Sequence, residues 1–344
     1  MNKQIRNFRY DRLIILLALL AIIVFLIYFS VKAVIFAINS LFPNEREVPE
    51  DIRVIEDYNA LLPAIEVTEP TPQESYKLLP LIYDDNSAQL GGSINSRYGI
   101  LYRVDDRKVL ARKASQERMY PASMTKVMTL IVALENIENL DDTFTMTFEI
   151  INPLYLQNAT VTGLSSGETV PLIDLLYGII LPSGADATVA IAQYVSGSEE
   201  EFVKLMNEKA EEMGLLDTHF TNTSGLHDSN HYTTAYDMAL ILDYAIHNET
   251  ARRILSTYKY VTTPTEQHPD GIEFYSTMFN KVKSDSIEGM EITGGKTGYT
   301  YEAHHCLVSF ATKKGKTYIA VTGYGENKYS PIYDMIDMYT DYIR

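Results

Sequence analysis

The stretch PASMTKVMTL places a serine and a lysine three positions apart at the start of a predicted helix. Pro121 and the apolar positions after it are typical of a helix start, with Ser123 as a candidate N-cap. Lys126 is unfavourable there, because the positive end of the helix dipole repels a cation. Residues i and i+3 share a helix face, so a neutral Lys126 amine could accept the Ser123 proton. The pair predicts nucleophilic serine chemistry, although S-x-x-K alone also occurs in ordinary helices.

Two further motifs strengthen this prediction. The segment LPSGADATVAIA places Ser183 before a second predicted helix, and EITGGKTGYT places Lys296, Thr297 and Gly298 on a glycine-flanked predicted strand. Ser183 and Asp186 also fit a helix capping box, which gives Ser183 a purely structural alternative. Together, the serine–lysine pair, the second serine and K-T-G follow the order found in penicillin-binding proteins and serine β-lactamases.

Four longer segments closely resemble the serine-type D-alanyl-D-alanine carboxypeptidases of bacterial cell walls: PASMTKVMT, PLIDLLYGIILPSGADA, FVKLMNEKAEEMGLLDTHFTNTSGLHDSNHYTTAYDMA and GGKTGYTYEAHHCLVSFATKKGKTYIAVTGYG. The resemblance covers residues 90–344 and implies an α/β fold, a mainly antiparallel sheet covered by helices, with a helical subdomain and the active site between. It implies removal of the terminal D-alanine from peptidoglycan stem peptides ending in D-Ala-D-Ala. It also implies covalent inhibition by β-lactam antibiotics, with no cofactor and no metal.

The resemblance assigns the catalytic roles residue by residue. Ser123 would be the acylated nucleophile, Lys126 its general base and Ser183 a proton-relay hydroxyl. The oxyanion hole would be formed by the backbone N–H groups of Ser123 and Tyr299.

The resemblance also assigns the substrate-binding residues. Lys296 would be the cation that polarises the site and attracts the substrate carboxylate, which Thr297 would also bind. Gly295 and Gly298 would let the substrate backbone approach the strand edge. Lys328 lies about where relatives carry an arginine near that carboxylate, so it is a weaker candidate for the same contact.

One departure from the family pattern leaves alternatives open. Ala185 stands where the family usually has asparagine, so a degenerate homologue that binds wall peptides with little turnover is one alternative. Compensation for the missing side chain by Asp186, or by a water in the vacated space, is a further hypothesis. A serine β-lactamase is another, but it would need S-D-N as second motif and a deacylating glutamate. A zinc peptidase is suggested by His219, His227 and His231, yet no H-E-x-x-H pair is present. Cys306, in an apolar run, is interpreted as a small buried hydrophobe.

The chain before the catalytic region has three predicted parts. Residues 13–31 are uncharged and nearly all apolar, enough for a helix of roughly 28 Å. Basic residues precede them, which predicts a cytoplasmic segment 1–12, a transmembrane anchor 13–39 and export of the remainder; a cleaved signal peptide is the alternative. Residues 40–85 hold six prolines and many acidic residues, typical of a linker, within which LLPLIY could dock on the catalytic domain 86–344.

Composition restricts the partners. The formal net charge of −16 argues against nucleic acid. The single cysteine excludes an intramolecular disulfide. The resemblance implies wall stem peptides and β-lactams as partners, and the apolar run predicts the lipid bilayer as a partner of residues 13–39, with the catalytic domain outside a bacterial cell membrane. The N-terminal span would substitute for the C-terminal anchoring helix that is common in relatives.

Hydrophobic periodicity outlines the elements that must position these groups. It predicts a strand at 98–105, then strands through the K-T-G segment and TYIAVTGYG on either side of KKGK, and a closing amphipathic helix within PIYDMIDMYTDYI. Between them it predicts helices at 123–137, 171–181, 186–196, 199–213 and 233–248. Strands at both ends of the domain predict a sheet whose outer strands come from distant parts of the chain.

Overall fold

The computed structural model describes residues 76, 78–83, 87–282, 286–287 and 289–343. The predicted cytoplasmic segment, the anchor 13–39 and most of the linker lie outside these residues. None of the helices within the described ranges has the length and apolarity that crossing a bilayer requires.

Thirteen strands occur within the described ranges, several of them very short. In chain order they are β1 (Ala88–Gln89), β2 (Tyr98–Arg103), β3 (Lys108–Lys113), β4 (Arg118–Met119), β5 (Thr143–Thr145), β6 (Thr169–Pro171), β7 (Thr233–Thr234), β8 (Lys259–Val261), β9 (Glu273–Tyr275), β10 (Ser286–Ile287), β11 (Met290–Thr300), β12 (His304–Lys313) and β13 (Lys316–Gly325). The predicted strand near 98 and the strands on either side of KKGK are confirmed.

One seven-stranded sheet forms the centre of the described structure, in the order β1-β3-β2-β13-β12-β11-β10. Its pairings are antiparallel, apart from a short parallel contact between β1 and β3. β13, near the end of the chain, pairs with β2, near the start of the domain. The sheet therefore joins strands that are separated by most of the domain sequence. The outer strands β1 and β10 come from distant sequence, as predicted.

The sheet is covered on both faces, which explains the nearly unbroken apolar runs of its central strands. In β2, Ile100 and Tyr102 pack into the cluster that contains the helical subdomain. Leu101, between them, points to the opposite cluster with Met335 and Tyr339 of the C-terminal helix. Alternate side chains therefore fill two separate cores.

Eight α-helices lie within the described ranges. They are α1 (Lys126–Asn136), α2 (Phe148–Leu156), α3 (Leu172–Ile180), α4 (Ala185–Ser196), α5 (Glu199–Glu212), α6 (Ala235–Ile246), α7 (Glu249–Leu255) and α8 (Ser330–Tyr342). The five predicted internal helices and the closing helix are confirmed within a few residues. α2 and α7 are not anticipated by the sequence analysis; α2 is short and contains Pro153.

The predicted docking of LLPLIY, residues 78–83, is confirmed. Leu81 is buried in the main core. The Ile82 amide donates to the Arg107 carbonyl at 2.7 Å, and the Val109 amide donates to the Ile82 carbonyl at 2.9 Å. This segment therefore pairs with the edge of β3 and belongs to the folded structure.

Candidate active site

The nucleophile candidate lies on a short 3-10 turn, Ala122–Thr125, that leads directly into α1. The Ser123 side chain does not cap this turn, so its predicted N-cap role is wrong. Instead, Lys126 Nζ lies 3.1 Å from Ser123 Oγ and donates to the Ser224 carbonyl oxygen at 2.6 Å. A neutral amine anchored by one N–H in this way can turn its lone pair towards the serine hydroxyl.

Burial is the main reason that the pKa of Lys126 is lowered. The side chain is 2% exposed, and removal from water lowers its pKa to about 7. The negative charges of Asp186 and Glu199 oppose this shift. A substantial fraction of Lys126 is therefore neutral near pH 7, which a general base requires.

The turn that holds Lys126 is built by residues 222–226. Asn222 Oδ1 accepts hydrogen bonds from the Ser224 and Gly225 amides at 3.2 and 2.7 Å. Gly225 has a φ of +82°, and a Cβ there would lie 1.9 Å from the Ala122 carbonyl oxygen. Glycine thus brings the backbone of this turn against the residue preceding the nucleophile.

Ala122 and Ser183 both adopt the left-handed backbone region that non-glycine residues rarely enter, with φ of +47° and +70°. Each such residue costs on the order of 1–3 kcal/mol unless its surroundings enforce the conformation, and such residues cluster at functional sites. The two strained positions precede or carry the two serines singled out by the sequence.

The second motif meets the third across 113 positions of sequence. Lys296 Nζ, on β11, donates to Ser183 Oγ at 2.9 Å and to the Thr297 carbonyl at 3.0 Å. Both side chains are buried. The N-cap of α4 is Gly184, with no side-chain hydrogen bond, so the capping alternative for Ser183 is wrong.

Positive charge converges on this end of the site, although the whole chain is acidic. Burial lowers the Lys296 pKa well below its usual value, and the charges of Lys126 and Lys281 lower it further. Burial and the neighbouring Lys328 likewise lower the pKa of Lys281. A carboxylate brought beside these amines would favour their ammonium forms, so the cluster is suited to an anionic group.

Close packing places β11 beside the nucleophile. A Cβ at Gly298 would lie 2.8 Å from the Pro121 carbonyl oxygen and 3.1 Å from the Ser123 amide nitrogen. A Cβ at Gly295 would meet the Val308 carbonyl at 2.3 Å. Close packing within the protein therefore requires glycine at both positions, in addition to the predicted approach of the substrate.

The other predicted binding residues occupy the rim. The Thr297 hydroxyl lies 2.7 Å from that of Thr277. The Tyr299 ring is 57% exposed and stacks on His305 at 4.3 Å between centroids, while its backbone amide follows Gly298 along β11. Lys328 is exposed, with its amine 4.8 Å from the centre of the Tyr329 ring.

Ala185 is buried at the start of α4, where its methyl group provides no hydrogen bond. The neighbouring Asp186 carboxylate accepts from the Thr162 amide at 2.9 Å and from the Thr162 hydroxyl at 2.6 Å. Asp186 is thus committed to Thr162, and the hypothesis that it replaces the missing asparagine finds no support in these contacts.

His231 and Cys306 are buried and occupy structural positions. His231 Nε2 lies 2.8 Å from the Thr125 hydroxyl, and its Nδ1 accepts from the Thr221 amide at 3.1 Å. Burial lowers its pKa to about 3, so it stays neutral. Burial raises the Cys306 pKa to about 11, which confirms the interpretation as a buried hydrophobe. Among the residues described, no group of three His, Cys, Asp or Glu side chains could hold a metal ion.

The sequence analysis does not identify four groups that lie beside the three motifs, namely the Ser224 carbonyl, Gly225, Thr277 and Lys281. A backbone carbonyl leaves no residue-type signal. The glycine in TSGL was the one available indication, because glycine often marks a positive φ or a close backbone approach.

The sequence profile of a peptidase family, S11, described as D-alanyl-D-alanine carboxypeptidase, matches residues 85–325. D-alanyl-D-alanine carboxypeptidase DacF of Bacillus subtilis (strain 168) is 36% identical over 227 residues, which cover 66% of this chain and 56% of the relative. DacC of Escherichia coli (strain K12) is 32% identical over 242 residues, covering 67% and 56%. The chain therefore spans little more than half the length of these curated relatives.

Solved structures show the same fold. The Streptomyces K15 DD-transpeptidase superposes with a TM-score of 0.65 at 32% identity, covering 71% of this chain and 95% of that one. A D-alanyl-D-alanine carboxypeptidase from Mycobacterium tuberculosis H37Rv gives a TM-score of 0.64 at 24% identity, covering 74% and 94%. The predicted fold class, a mainly antiparallel sheet covered by helices with a helical subdomain, is confirmed.

Proposed function

Because the chain belongs to the D-alanyl-D-alanine carboxypeptidase family, we propose that it removes the terminal D-alanine from peptidoglycan stem peptides through an ester on Ser123. The observation that carries the proposal is the pairing of Ser123 with Lys126 beside the pairing of Ser183 with Lys296. One pair provides a nucleophile and its base, and the other provides a hydroxyl and a cation next to them.

In the proposed reaction, Ser123 Oγ attacks the carbonyl carbon between the two D-alanines while Lys126 takes the hydroxyl proton. The oxyanion that forms accepts hydrogen bonds from the Ser123 and Tyr299 amides. Collapse breaks the C–N bond, and the departing amine receives a proton, with the Ser183 hydroxyl as relay. Water then hydrolyses the ester and regenerates Ser123.

Substrate selection in this proposal depends on the terminal carboxylate. Lys296 and the Thr297 hydroxyl bind it, and the positive charge near Lys281 and Lys328 attracts it. A β-lactam carries both a reactive amide and a carboxylate, so it acylates Ser123 in the same way and inhibits covalently.

The test uses the purified full-length chain with a peptide that ends in D-Ala-D-Ala. We expect stoichiometric D-alanine release, labelling by a fluorescent penicillin, and loss of both in Ser123→Ala. A metal chelator should have no effect. Turnover that survives Ser123→Ala, or that a chelator abolishes and zinc restores, would contradict the proposal.

A second candidate, a homologue that binds wall peptides with little turnover, is favoured by Ala185 alone. If the wild type binds the peptide but is never labelled by penicillin, and Ala185→Asn restores labelling, this candidate replaces the first. A third, serine β-lactamase activity, would appear as rapid recovery of the free enzyme after penicillin labelling.

We also propose that residues 13–39 anchor the protein in the bacterial cell membrane with the catalytic domain outside. The support is the uncharged apolar run preceded by basic residues. The chain should remain in membranes after alkaline extraction and should be degraded by protease added to spheroplasts. Recovery of a shortened chain in the medium would instead indicate a cleaved signal peptide.

A further inference from the structure

The segment Ser276–Val282 lies beside β11, and backbone hydrogen bonds hold its first two residues. The Ser276 amide donates to the Tyr258 carbonyl at 2.8 Å, and the Thr277 amide donates to the Leu181 carbonyl at 3.1 Å. Leu181 lies two residues before Ser183, so the backbone of Thr277 is hydrogen-bonded to the segment that carries the second motif.

The Thr277 side chain is directed to the third motif. Its Oγ1 lies 2.7 Å from Thr297 Oγ1, and both residues are half-buried. One residue later, Met278 is fully buried, and its sulfur would lie 2.8 Å from a Cβ at Gly295. The position of Thr277 relative to β11 is therefore set by packing as well as by hydrogen bonds.

We propose that Thr277 is a positioning residue that orients the Thr297 hydroxyl for the terminal carboxylate of the substrate. This role rests on the proposed function, because it requires that Thr297 bind that carboxylate. This orienting role is not assigned to any residue of the three motifs, and Thr277 would not contact the scissile bond.

The chemistry of the two hydroxyls gives the hydrogen-bond direction. An ionised carboxylate only accepts hydrogen bonds, so the Thr297 hydroxyl must donate its single proton to it. Thr297 Oγ1 then accepts from the Thr277 hydroxyl, and the two bonds in series strengthen each other. Without the Thr277 hydroxyl, Thr297 Oγ1 loses this donor, and the Thr297 hydroxyl is no longer held in the orientation that donates to the carboxylate.

The order of the reaction predicts which kinetic constant changes. The terminal D-alanine leaves with its carboxylate during acylation, so hydrolysis of the ester no longer involves Thr297. The loss of Thr277 should therefore lower kcat/KM, and should leave kcat unchanged where deacylation limits turnover.

The experiment compares three variants of the full-length chain. Thr277→Val keeps the shape but removes the hydroxyl, and Thr277→Ser keeps the hydroxyl. Thr293→Val is the matched control, because Thr293 lies on β11 with Thr297 and the substitution removes its 3.3 Å threonine–threonine contact to Thr312 on β12. Each is assayed with one D-Ala-D-Ala peptide ending in a carboxylate and with the same peptide ending in a carboxamide.

We expect Thr277→Val to lower kcat/KM for the carboxylate peptide by roughly fivefold to tenfold, the effect of about one net hydrogen bond. The carboxamide peptide should be hydrolysed slowly and equally by this variant and the wild type. Thr277→Ser and Thr293→Val should match the wild type on both peptides.

Three results would overturn the role of Thr277. One is a kcat/KM within twofold of wild type in Thr277→Val. Another is an equal loss on both peptides, and a third is an equal loss in Thr277→Ser; both would indicate packing rather than carboxylate recognition. A wild type inactive on both peptides would instead refute the proposed function, so the two failures are distinguishable.

Discussion

Replacing Lys126 by methionine should abolish activity and yet stabilise the fold at low pH. The pKa of Lys126 falls from 10.5 to about 7 on folding, chiefly through burial. At 1.36 kcal/mol per pKa unit, the folded state disfavours the ammonium form by about 5 kcal/mol. Methionine has a similar length and carries no charge, so it escapes this cost.

The sign of the pH dependence follows from proton binding. Between about pH 7 and 10.5 the unfolded chain holds a proton on Lys126 that the folded protein has released, so the stability of the wild type rises with pH in this window. Below pH 7 both states are protonated and the full cost is present. The stability gain from Lys126→Met should therefore fall by about 3 kcal/mol between pH 6 and pH 9.

The assay is urea unfolding of the full-length chain in detergent, followed by circular dichroism because the chain has no tryptophan. Loss of the 2.6 Å hydrogen bond to the Ser224 carbonyl offsets part of the gain but does not depend on pH. In parallel, penicillin acylation by the wild type should fall to half near pH 7 on the acid side. A stability difference that is constant from pH 6 to pH 9 would refute the assignment of Lys126 as a base neutralised by burial.

Three further substitutions probe the surroundings of the site. Ala185→Asn should raise the penicillin acylation rate by roughly 10-fold to 100-fold, because it restores one or two hydrogen bonds to the site; an unchanged rate would show that the asparagine is dispensable here. Asp186→Ala should mainly lower the thermal midpoint and should change the acylation rate little, because its carboxylate binds Thr162. A loss of acylation with an unchanged thermal midpoint would instead support compensation by Asp186. Gly225→Ala should nearly abolish acylation in a folded protein, since the new Cβ would overlap the carbonyl next to the nucleophile; normal acylation would contradict a rigid contact. The melts and labelling rates are measured on the same preparations.

The sequence determined what depends on neighbours along the chain. Ser123 and Lys126 lie close together because a spacing of three residues places both side chains on one helix face. This proximity does not depend on the rest of the protein. The nearly continuous apolar runs likewise indicated the central strands, and the period of 3.6 residues indicated the amphipathic helices. The three motifs in order, and the resemblance they carry, indicated the fold before any contact was known.

Tertiary structure decided what depends on groups far apart in sequence. Nothing in LPSGADA says that Ser183 binds Lys296 rather than capping its own helix, because both patterns use the same residues. The pKa of Lys126 also depends on the fold, since burial by surrounding elements lowers it against the opposing negative charges of Asp186 and Glu199. The Ser224 carbonyl that anchors this lysine is a backbone group, identical in every residue, and only the packing of a distant turn brings it to 2.6 Å.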